Sequence, residues 1–437
     1  MTLQEKIRQA GVVGAGGGGF PADVKAGGRV EFVVANGAEC EPLIHKDFEL
    51  MVHRAAGIVD GIKLLMEATG AREGIVGIKG KNKRAIEAIG ACIGSAKIRI
   101  HELGDFYPSG DEYILVYEAT GRLIPPQGYP PDVGVLVNNV ETLYNISLAA
   151  KGSAVTEKCI TVAGAVKNSV TLSVPVGISY DDAIALAGGA VVKEYAVFSG
   201  GLMMGKLETD SRAPVTKTCA GLVVLPADHT LVVRKQQPES SMHKIGKSAC
   251  DQCSFCTELC PRYILGYDVQ PHKVMRSLGF TKTGESFWNL SAALCCSCGL
   301  CTLYACPESL FPKEACDKAK RTLKEEGKKW EGSKAVTPHP MYEGRRTPLK
   351  QLVRRLGISE YRSEAPFSDT VFSPKRVILP LLQHSGVAAR PVVRAGERVR
   401  KGDLVGEIPD GKLGARVHTS IDGVVKEIDQ SIVIEKG

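Results

Sequence analysis

Long hydrophobic runs are what this sequence most clearly lacks. A transmembrane helix needs about 20 consecutive, mostly apolar residues, and no stretch of the 437 residues approaches that length. The N-terminal segment MTLQEKIRQAG carries charges throughout and contains neither the apolar segment nor the cleavage site of a secretory signal. We therefore expect a cytoplasmic protein without a transmembrane segment.

Tryptophan is also scarce, whereas cysteine and glycine are abundant. The chain has 2 Trp, 14 Cys and 48 Gly, with 44% hydrophobic and 24% charged residues. That composition is typical of globular proteins, and at about 100 to 200 residues per domain the length predicts two to four domains. Because disulfides are rare in the cytoplasm, so many cysteines indicate metal binding or catalysis.

The positive charge is concentrated in one segment. The formal net charge is +7, and residues 312–355 alone contain 13 Lys or Arg against 6 Asp or Glu. A basic surplus is one mark of nucleic-acid binders, but no nucleic-acid-binding motif lies beside this segment. We expect a solvated linker or docking strip, and no nucleic-acid partner.

Residues 1–154 alternate strand-like and helix-like patterns. Such alternation is typical of a parallel sheet covered by helices, so we predict a Rossmann-like α/β domain. The predicted strands are Val30–Asn36, Gly74–Lys79 and Ile98–Leu103, and the predicted helices are His53–Ala68 and Lys83–Ile93.

Four further segments follow this domain. Residues 155–240 hold two β runs and a short helix, Ser179–Ala187, which predicts a β-grasp domain of the SLBB type. Residues 241–330 hold most of the cysteines and are predicted to form an α-helical, ferredoxin-like module. Residues 331–373 contain several prolines and read as a basic linker with one short helix. Residues 374–437 are strand-like and predict a small β domain.

The strongest motif is a pair of cysteine runs. The first is Cys250-x2-Cys253-x2-Cys256-x3-Cys260-Pro261, and the second is Cys295-x2-Cys298-x2-Cys301-x4-Cys306-Pro307. Each resembles the bacterial ferredoxin run, in which three cysteines bind one 4Fe-4S cluster and the fourth binds the other cluster. The predicted ligands of cluster one are Cys250, Cys253, Cys256 and Cys306; those of cluster two are Cys295, Cys298, Cys301 and Cys260.

Two points stay open in this interpretation. The second run has four residues before its last cysteine where the usual run has three, and Cys296 is an alternative ligand to Cys295. Paired Cys-x2-Cys motifs also occur in zinc ribbons, although two evenly spaced triplets followed by Cys-Pro favour iron–sulfur clusters. The remaining cysteines, which we expect to be ordinary small buried residues, are Cys40, Cys92, Cys159, Cys219 and Cys316.

A glycine-rich loop, Gly14–Gly19, lies near the N-terminus. Its glycines allow unusual backbone angles and a close approach to a flat or phosphorylated ligand. It is not a Walker loop, because no Gly-Lys-Ser/Thr follows, and no strand clearly precedes it as in the dinucleotide fingerprint. Polar segments follow other β runs at Asn36–Pro42, Tyr107–Glu112 and Val137–Thr142, and ligands of α/β sheets bind beyond the carboxyl ends of strands.

This combination resembles the flavin-binding subunit of respiratory complex I and the C subunit of the Rnf electron-transport complex. The resemblance implies that the loop cradles FMN, that the Asn-Asn-x-Glu-Thr segment holds its ribityl phosphate, and that acidic residues place NADH. The implied FMN-binding residues are Gly14, Gly16, Gly17, Gly18, Lys25, Asn36, Asn138, Asn139 and Thr142. The implied NADH-facing residues are Glu39, Glu41 and Glu112.

The order of domains narrows the resemblance. The small β domain, which is similar to biotinyl/lipoyl-type sandwiches and reads as a barrel-sandwich hybrid, precedes the flavin domain in the Rnf protein but follows the clusters here. This order resembles the cobalamin reductases of the propanediol-utilization system. The resemblance implies reduction of cob(III)alamin through cob(II)alamin toward cob(I)alamin, for coenzyme B12 recycling. It also implies association with an adenosyltransferase and with the shell proteins of a bacterial microcompartment.

Other functions remain as alternatives. No Asp-x-His-x-x-Gly corrinoid motif is present, and His45, which lies near an acidic segment, is more typical of a solvated histidine than of a cobalt ligand. An Rnf-like NADH oxidoreductase would pass its electrons to a flavodoxin, a ferredoxin or a radical-enzyme activase. A structural or docking protein is the third possibility, but the two cysteine runs argue against it.

Overall fold

The computed structural model describes residues 1–279, 289–361 and 364–437. Residues 280–288 of the predicted two-cluster module and residues 362–363 of the predicted linker lie outside the described residues. The elements below are numbered along the chain.

A parallel sheet organises the N-terminal part. Its strand order is β3-β2-β1-β5, and every pairing is parallel. One apolar core lies on each face of the sheet, as strand–helix alternation predicts. The strands are β1 Phe32–Gly37, β2 Glu73–Lys79, β3 Ile98–Leu103, the separate short β4 Phe106–Tyr107, and β5 Val135–Asn139. The helices are α1 Leu3–Ala10, α2 Ala22–Ala26, α3 Lys46–His53, α4 Ala55–Thr69, α5 Lys83–Ile93, α6 Glu112–Thr120 and α7 Val140–Ala150, with a 3-10 turn at Pro130–Val133.

One predicted helix differs from the structure. The helix expected at His53–Ala68 is α4, and α3 precedes it, separated by Arg54, whose backbone is not helical (φ −132°, ψ 24°). Helix α3 was not predicted because it buries charged side chains, including Lys46 and Asp47. A hydrophobic pattern assigns such residues to the protein surface.

The β-grasp part is a six-stranded sheet with the order β12-β7-β6-β10-β8-β9, in which the edge strand β12 is Phe367–Ser368. The two predicted β runs pair antiparallel as β6 and β7, and Ser179 caps the predicted helix by accepting from the Asp182 amide at 3.0 Å. The elements are β6 Glu157–Gly164, β7 Val170–Pro175, α8 Tyr180–Leu186, β8 Tyr195–Ser199, β9 Lys206–Glu208, β10 Gly221–Pro226 and α9 Thr230–Lys235.

Short helices dominate the cysteine-rich part. They are α10 Glu239–Ala249, α11 Phe255–Glu258, α12 Pro261–Ile264, α13 Pro271–Ser277 and α14 Pro312–Glu325, with a 3-10 turn at Leu290–Leu294 and a π-helical turn at Cys301–Ala305.

The segment predicted as a basic linker packs against its neighbours. Its strand β11, Thr347–Pro348, pairs with β4 of the N-terminal part, and β12, Phe367–Ser368, pairs with β7. The expected short helix is α15, Leu349–Arg355. Its basic side chains include Arg346, which is ion-paired with Glu118 at 2.6 Å. The segment therefore fastens two sheets together.

The C-terminal part consists of two small sheets, with the orders β13-β19-β18-β15 and β14-β16-β17. They share one continuous apolar core with the β-grasp sheet. The strands are β13 Arg376–Pro380, β14 Arg390–Pro391, β15 Arg398–Val399, β16 Leu404–Glu407, β17 Val417–His418, β18 Gly423–Ile428 and β19 Ser431–Glu435. Among the described residues, no helix combines the length and apolar character that a bilayer crossing requires. The predicted multidomain α/β fold class is confirmed.

Candidate cofactor sites

The sequence-predicted flavin residues meet at one edge of the parallel sheet. Strands β1 and β5 end there, and Asn36 lies opposite Asn139 in their parallel register. The glycine-rich loop lies at the same edge, because the Ala15 amide donates to Thr142 Oγ1 at 2.9 Å. Ligands of open α/β sheets bind at this end of the strands.

The glycine-rich loop has one braced side and one open side. Gly14 donates to the Phe20 carbonyl at 2.9 Å, and Gly19 donates to the Gly14 carbonyl at 3.1 Å. Gly17 has φ +109°, and no atom lies within 4 Å of the position that a Cβ would take at Gly17 or Gly18. The backbone there is open to a ligand, which fits a cradle for a flat or phosphorylated group.

A buried network of charges supports the loop from below. Lys158 Nζ donates to the Ala15 carbonyl at 3.1 Å and to Glu141, which also receives Lys46 Nζ at 3.0 Å. Asn139 Nδ2 donates to Asp47 at 2.8 Å. Burial alone would raise the pKa of Glu141. The ammonium groups of Lys158 and Lys46 outweigh that effect and hold this pKa below its ordinary value.

This network was not among the features predicted from the sequence. Its available signal was a charged residue, Lys158, directly before the apolar run of strand β6, since an unpaired charge is rarely buried. Glu141 lies within the Asn-Asn-Val-Glu-Thr segment that was predicted to bind the flavin.

Four other predicted side chains lie at the same edge. Lys25 Nζ donates to the Val137 carbonyl at 2.9 Å and lies 3.6 Å from a carboxylate oxygen of Glu112. Glu112 is 47% exposed at the start of α6, so its carboxylate is accessible to a ligand as well as to Lys25. Asn36 donates to the Gly110 carbonyl at 2.9 Å. Within the described ranges, the buried Asn138 Nδ2 has no hydrogen-bond partner, which leaves a donor at this edge.

Glu39 and Glu41 already have structural partners. Glu39 accepts from the amides of Asp47 and Phe48, at 2.6 and 3.0 Å, and so caps α3. Glu41 accepts from the amides of Met203 and Met204, both at 3.0 Å, in a loop of the β-grasp part. Burial raises the pKa of Glu41 to about 7 and that of Glu39, with help from Asp47, to about 8. A direct role of Glu39 or Glu41 in NADH binding stays a prediction.

The first predicted cysteine set lies together. Cys250, Cys253, Cys256 and Cys306 line one cavity, although Cys306 comes from the second run. The Leu310 amide donates to Cys306 Sγ at 3.3 Å, and Cys253 is exposed. Burial and the neighbouring thiols of the set raise the pKa of Cys256 to about 12, so uptake of a metal cluster there must release protons.

The second predicted set is also brought together. Burial raises the pKa of Cys301, and the thiols of Cys295, Cys260 and, from the first set, Cys256 raise it further. The Cys316 thiol donates a hydrogen bond that lowers the pKa of Cys295 to about 7. Cys316 is therefore buried, as expected, but it contacts a predicted ligand. In the part of the chain that the structure describes, no group of three or more His, Cys, Asp or Glu converges on a single metal ion.

The two cysteine runs share a backbone pattern that favours Cys295 over Cys296. In the first run, Gln252 and Ser254 flank the middle cysteine with φ of 63° and 68°; in the second run, Ser297 and Gly299 do so with φ of 57° and 80°. This repeat aligns Cys253 with Cys298, and therefore Cys250 with Cys295. Cys296 then aligns with Asp251, which is not a cysteine.

A π-helical turn explains the unusual spacing in the second run. The Cys306 amide donates to the Cys301 carbonyl, five residues earlier, at 3.1 Å. In the first run, α11 covers the equivalent residues as an ordinary short helix. A π turn accommodates one extra residue, so Cys306 reaches the first set despite the longer spacing.

The second cysteine set contacts the polar segment Tyr107–Glu112, which is joined to the flavin edge by the hydrogen bond from Asn36 to the Gly110 carbonyl. The hydroxyl of Tyr107 donates to the Cys298 carbonyl at 2.6 Å. Arg262, two residues after Cys260, forms an ion pair with Asp111 at 2.8 Å, and its guanidinium lies 3.5 Å from the Tyr113 ring centroid. The chain thus joins its predicted flavin and cluster sites through buried contacts.

Three family models match the chain. A Nuo51 FMN-binding domain matches residues 7–148, a 4Fe-4S dicluster domain matches residues 249–311, and an RnfC barrel sandwich hybrid domain matches residues 360–437. FMN and a pair of 4Fe-4S clusters are therefore the cofactors that these domains hold.

Curated relatives cover the whole chain. It is 42% identical to cobalamin reductase PduS of Citrobacter freundii, over 100% of this chain and 97% of the relative. It is also 42% identical to the Salmonella typhimurium protein of the same name, over 100% of this chain and 96% of the relative. The C subunit of the ion-translocating oxidoreductase complex of Pseudomonas aeruginosa is 36% identical over 61% of this chain and 34% of that relative.

Proposed function

Because the chain belongs to the cobalamin reductase PduS family, we propose that it is an NADH-dependent flavin and iron–sulfur oxidoreductase that reduces cob(III)alamin and cob(II)alamin toward cob(I)alamin. The observation that carries this proposal is the buried contact from Tyr107 to Cys298, which joins the flavin edge to a cysteine set. A purely structural protein would not need its two cofactor sites to share a buried interface.

The residues present fit the implied cofactors. When bound, FMN would supply the exchange between two-electron and one-electron transfer, and each 4Fe-4S cluster would supply a one-electron carrier. Backbone groups of Gly16–Gly18, the amide of Asn138 and the ammonium of Lys25 would hold FMN. Glu112, exposed beside Lys25, would face NADH.

The protein would supply spacing and protection from solvent. Tyr107 and Arg262 bury the contact between the flavin edge and the second cysteine set, which keeps the two sites at a constant distance. Cys301 of the second set neighbours the first set, and the first set opens to solvent at Cys253. An electron acceptor would therefore approach the protein at Cys253.

An anaerobic assay tests this function. Cluster- and FMN-loaded protein is mixed with NADH and hydroxocobalamin, and the corrinoid spectrum is followed. We expect cob(II)alamin to form, and cob(I)alamin to be trapped when an alkylating agent is present. A viologen dye serves as an acceptor control.

The same assay separates the proposal from its rival. Reduction of the dye but never of the corrinoid would refute cobalamin reduction. It would favour an Rnf-like NADH oxidoreductase, for which the partial match to Rnf-type proteins is the supporting observation. Together with cobalamin reduction, we propose an adenosyltransferase and microcompartment shell proteins as partners. We also propose that the protein is located within that compartment.

A further inference from the structure

The C-terminal part of the chain reaches the glycine-rich loop near the N-terminus. Ser385 Oγ donates to the Gly18 carbonyl at 2.8 Å, across 367 residues of sequence. The backbone amide of Ser385 donates to the Gly19 carbonyl at 2.9 Å.

Gly19 is enclosed by two different domains. With φ +62°, a Cβ at this position would lie 2.9 Å from Thr218 Cγ2 and 3.1 Å from His384 Cα. Gly17 and Gly18, by contrast, have nothing within 4 Å of a Cβ position. The loop is thus held at one end and open at its centre.

A buried lysine fastens the segment that leads into the loop. Lys217 is 3% exposed, and its Nζ donates to the Gly11 carbonyl at 2.8 Å and to the Arg416 carbonyl at 2.7 Å. Its backbone amide donates to Gln383 Oε1 at 3.0 Å. Lys217 therefore ties the end of α1 to the C-terminal part from within the β-grasp part.

The backbones of Gly11 and Arg416 are in close contact around Lys217. A Cβ on Gly11 would lie 2.4 Å from the Arg416 carbonyl oxygen, so the two backbones touch. Burial lowers the pKa of Lys217 to about 7. Burying an amine is unfavourable unless it is hydrogen-bonded, and here backbone carbonyls from two different domains accept from it. Separation of the C-terminal part would leave this group without half of its partners.

We propose that the C-terminal domain is part of the flavin site, with Ser385 and Lys217 as positioning residues that hold the glycine-rich loop in its FMN-binding shape. The two contacts bracket the loop, one at Gly11 before it and one at Gly18–Gly19 at its end. This inference rests on the proposed role of the loop in binding FMN, and it assigns a task to a domain that contributes none of the predicted cofactor ligands.

The test uses the full-length, cluster-loaded protein without flavin. FMN is titrated against the protein by flavin fluorescence, and hydrogen exchange is measured for the peptide that spans the loop. The variants are Ser385→Ala, Ser385→Thr, Lys217→Met and the double variant Ser385→Ala/Lys217→Met. The control is Ser431→Ala, at a serine of the same domain with similar exposure and no side-chain hydrogen bond among the described residues.

We expect the Kd for FMN to rise about 3-fold in Ser385→Ala, which loses one hydrogen bond, and about 10-fold in Lys217→Met, which loses two. Loop exchange should accelerate in both. Ser385→Thr should restore the wild-type affinity, because it keeps the hydroxyl, and Ser431→Ala should match the wild type. The iron content should stay unchanged in all of them.

Unchanged FMN affinity in Ser385→Ala would overturn the proposal, even if loop exchange increased; where the double variant folds, its affinity should be weaker still. Ser385→Ala keeps the test valid if Lys217→Met fails to fold. A wild-type protein that binds no FMN would instead refute the proposed function. Changed affinity together with lost iron would assign the effect to general destabilisation and would also overturn the positioning role.

Discussion

Tyr107 is the residue at which the flavin edge and the second cysteine set meet. Its side chain is 1% exposed, and its hydroxyl donates to the Cys298 carbonyl at 2.6 Å. Burial, together with Glu41 and nearby thiols, raises the pKa of Tyr107 well above its ordinary value. The hydroxyl therefore stays a neutral donor at any working pH.

Replacement of Tyr107 by phenylalanine should loosen this junction. The Cys298 carbonyl would lose its buried donor, at a cost of about 1–3 kcal/mol. We expect a lower melting temperature and an altered EPR spectrum for only one of the two clusters. Tyr129→Phe, at a tyrosine that is 72% exposed, is the control. Identical spectra for Tyr107→Phe and the wild type would argue against the junction.

Glu41 predicts a specific pH dependence. Burial raises the pKa of its folded form to about 7, so the folded chain holds a proton that the unfolded chain has lost above its ordinary pKa of 4.5. The stability contributed by this group is therefore present below about pH 4.5 and declines as the pH rises to about 7. Glu41→Gln cannot titrate.

The melting temperature of the wild type minus that of Glu41→Gln should accordingly decrease from pH 5 to pH 8, as measured by scanning calorimetry. A constant offset from the altered hydrogen bonds to Met203 and Met204 is expected at every pH. A difference that grows with pH would show that the carboxylate is the favoured form.

Sequence reasoning could identify Glu41 as a polar residue after a strand, but not its partners. Met203 lies 162 residues away, in a loop that reads only as glycine-rich. Lys158 was hidden for a similar reason, since its pairing with Glu141 depends on how two domains pack. Local patterns show which side chains are unusual, whereas long-range packing decides what they contact.

At the scale of elements, the repeated cysteine loop carries the most information. Both runs place positive-φ residues on either side of their middle cysteine. The spacing of cysteines was readable from the sequence, and so was the exchange of the fourth ligand. The choice between Cys295 and Cys296 was not, because it depends on backbone angles.

Serine replacements at adjacent positions test this register. Cys295→Ser should remove one cluster, about four irons per chain, while Cys296→Ser should keep both clusters. Iron and sulfide analysis of anaerobically purified protein measures the outcome. The reverse pattern would assign the ligand to Cys296, which neighbours Cys298 and Cys260.

Most of the strands and helices were predictable because their hydrophobic patterns were regular. Helix α5 and strand β3 match their predicted bounds, Lys83–Ile93 and Ile98–Leu103. Helix α3 was not predictable because its buried charges depend on the network around Glu141. The π turn at Cys301–Ala305 was visible only as one extra residue in a spacing.

At the scale of the whole molecule, the domains are joined more closely than their order along the chain indicates. The predicted linker contributes strands to two sheets, and the β-grasp and C-terminal parts share one core. The fold class was predictable from the sequence and its resemblances, but these joints were not, because short strands such as Thr347–Pro348 carry no periodic signal.

Cluster removal should affect these domains unequally. Chelation of iron should lower the first melting transition by about 5 °C or more, since a group that binds only the folded state stabilises it. The C-terminal part should retain a later transition because its core holds no cysteine of either set, whereas the β-grasp sheet also shares a second core with Cys298. Scanning calorimetry before and after chelation measures both, and an equal shift of all transitions would contradict the prediction.

The contact between Ser385 and Gly18 has a consequence for biosynthesis. Ser385 is translated 367 residues after Gly18, which at about 5–20 residues per second is a delay of roughly 20–70 s. A flavin domain that folds early on the ribosome therefore lacks the contact between Ser385 and its glycine-rich loop during that interval. Chains that stop before the last domain would carry a folded sheet yet capture flavin poorly, so the order of translation would itself guard against incomplete redox proteins.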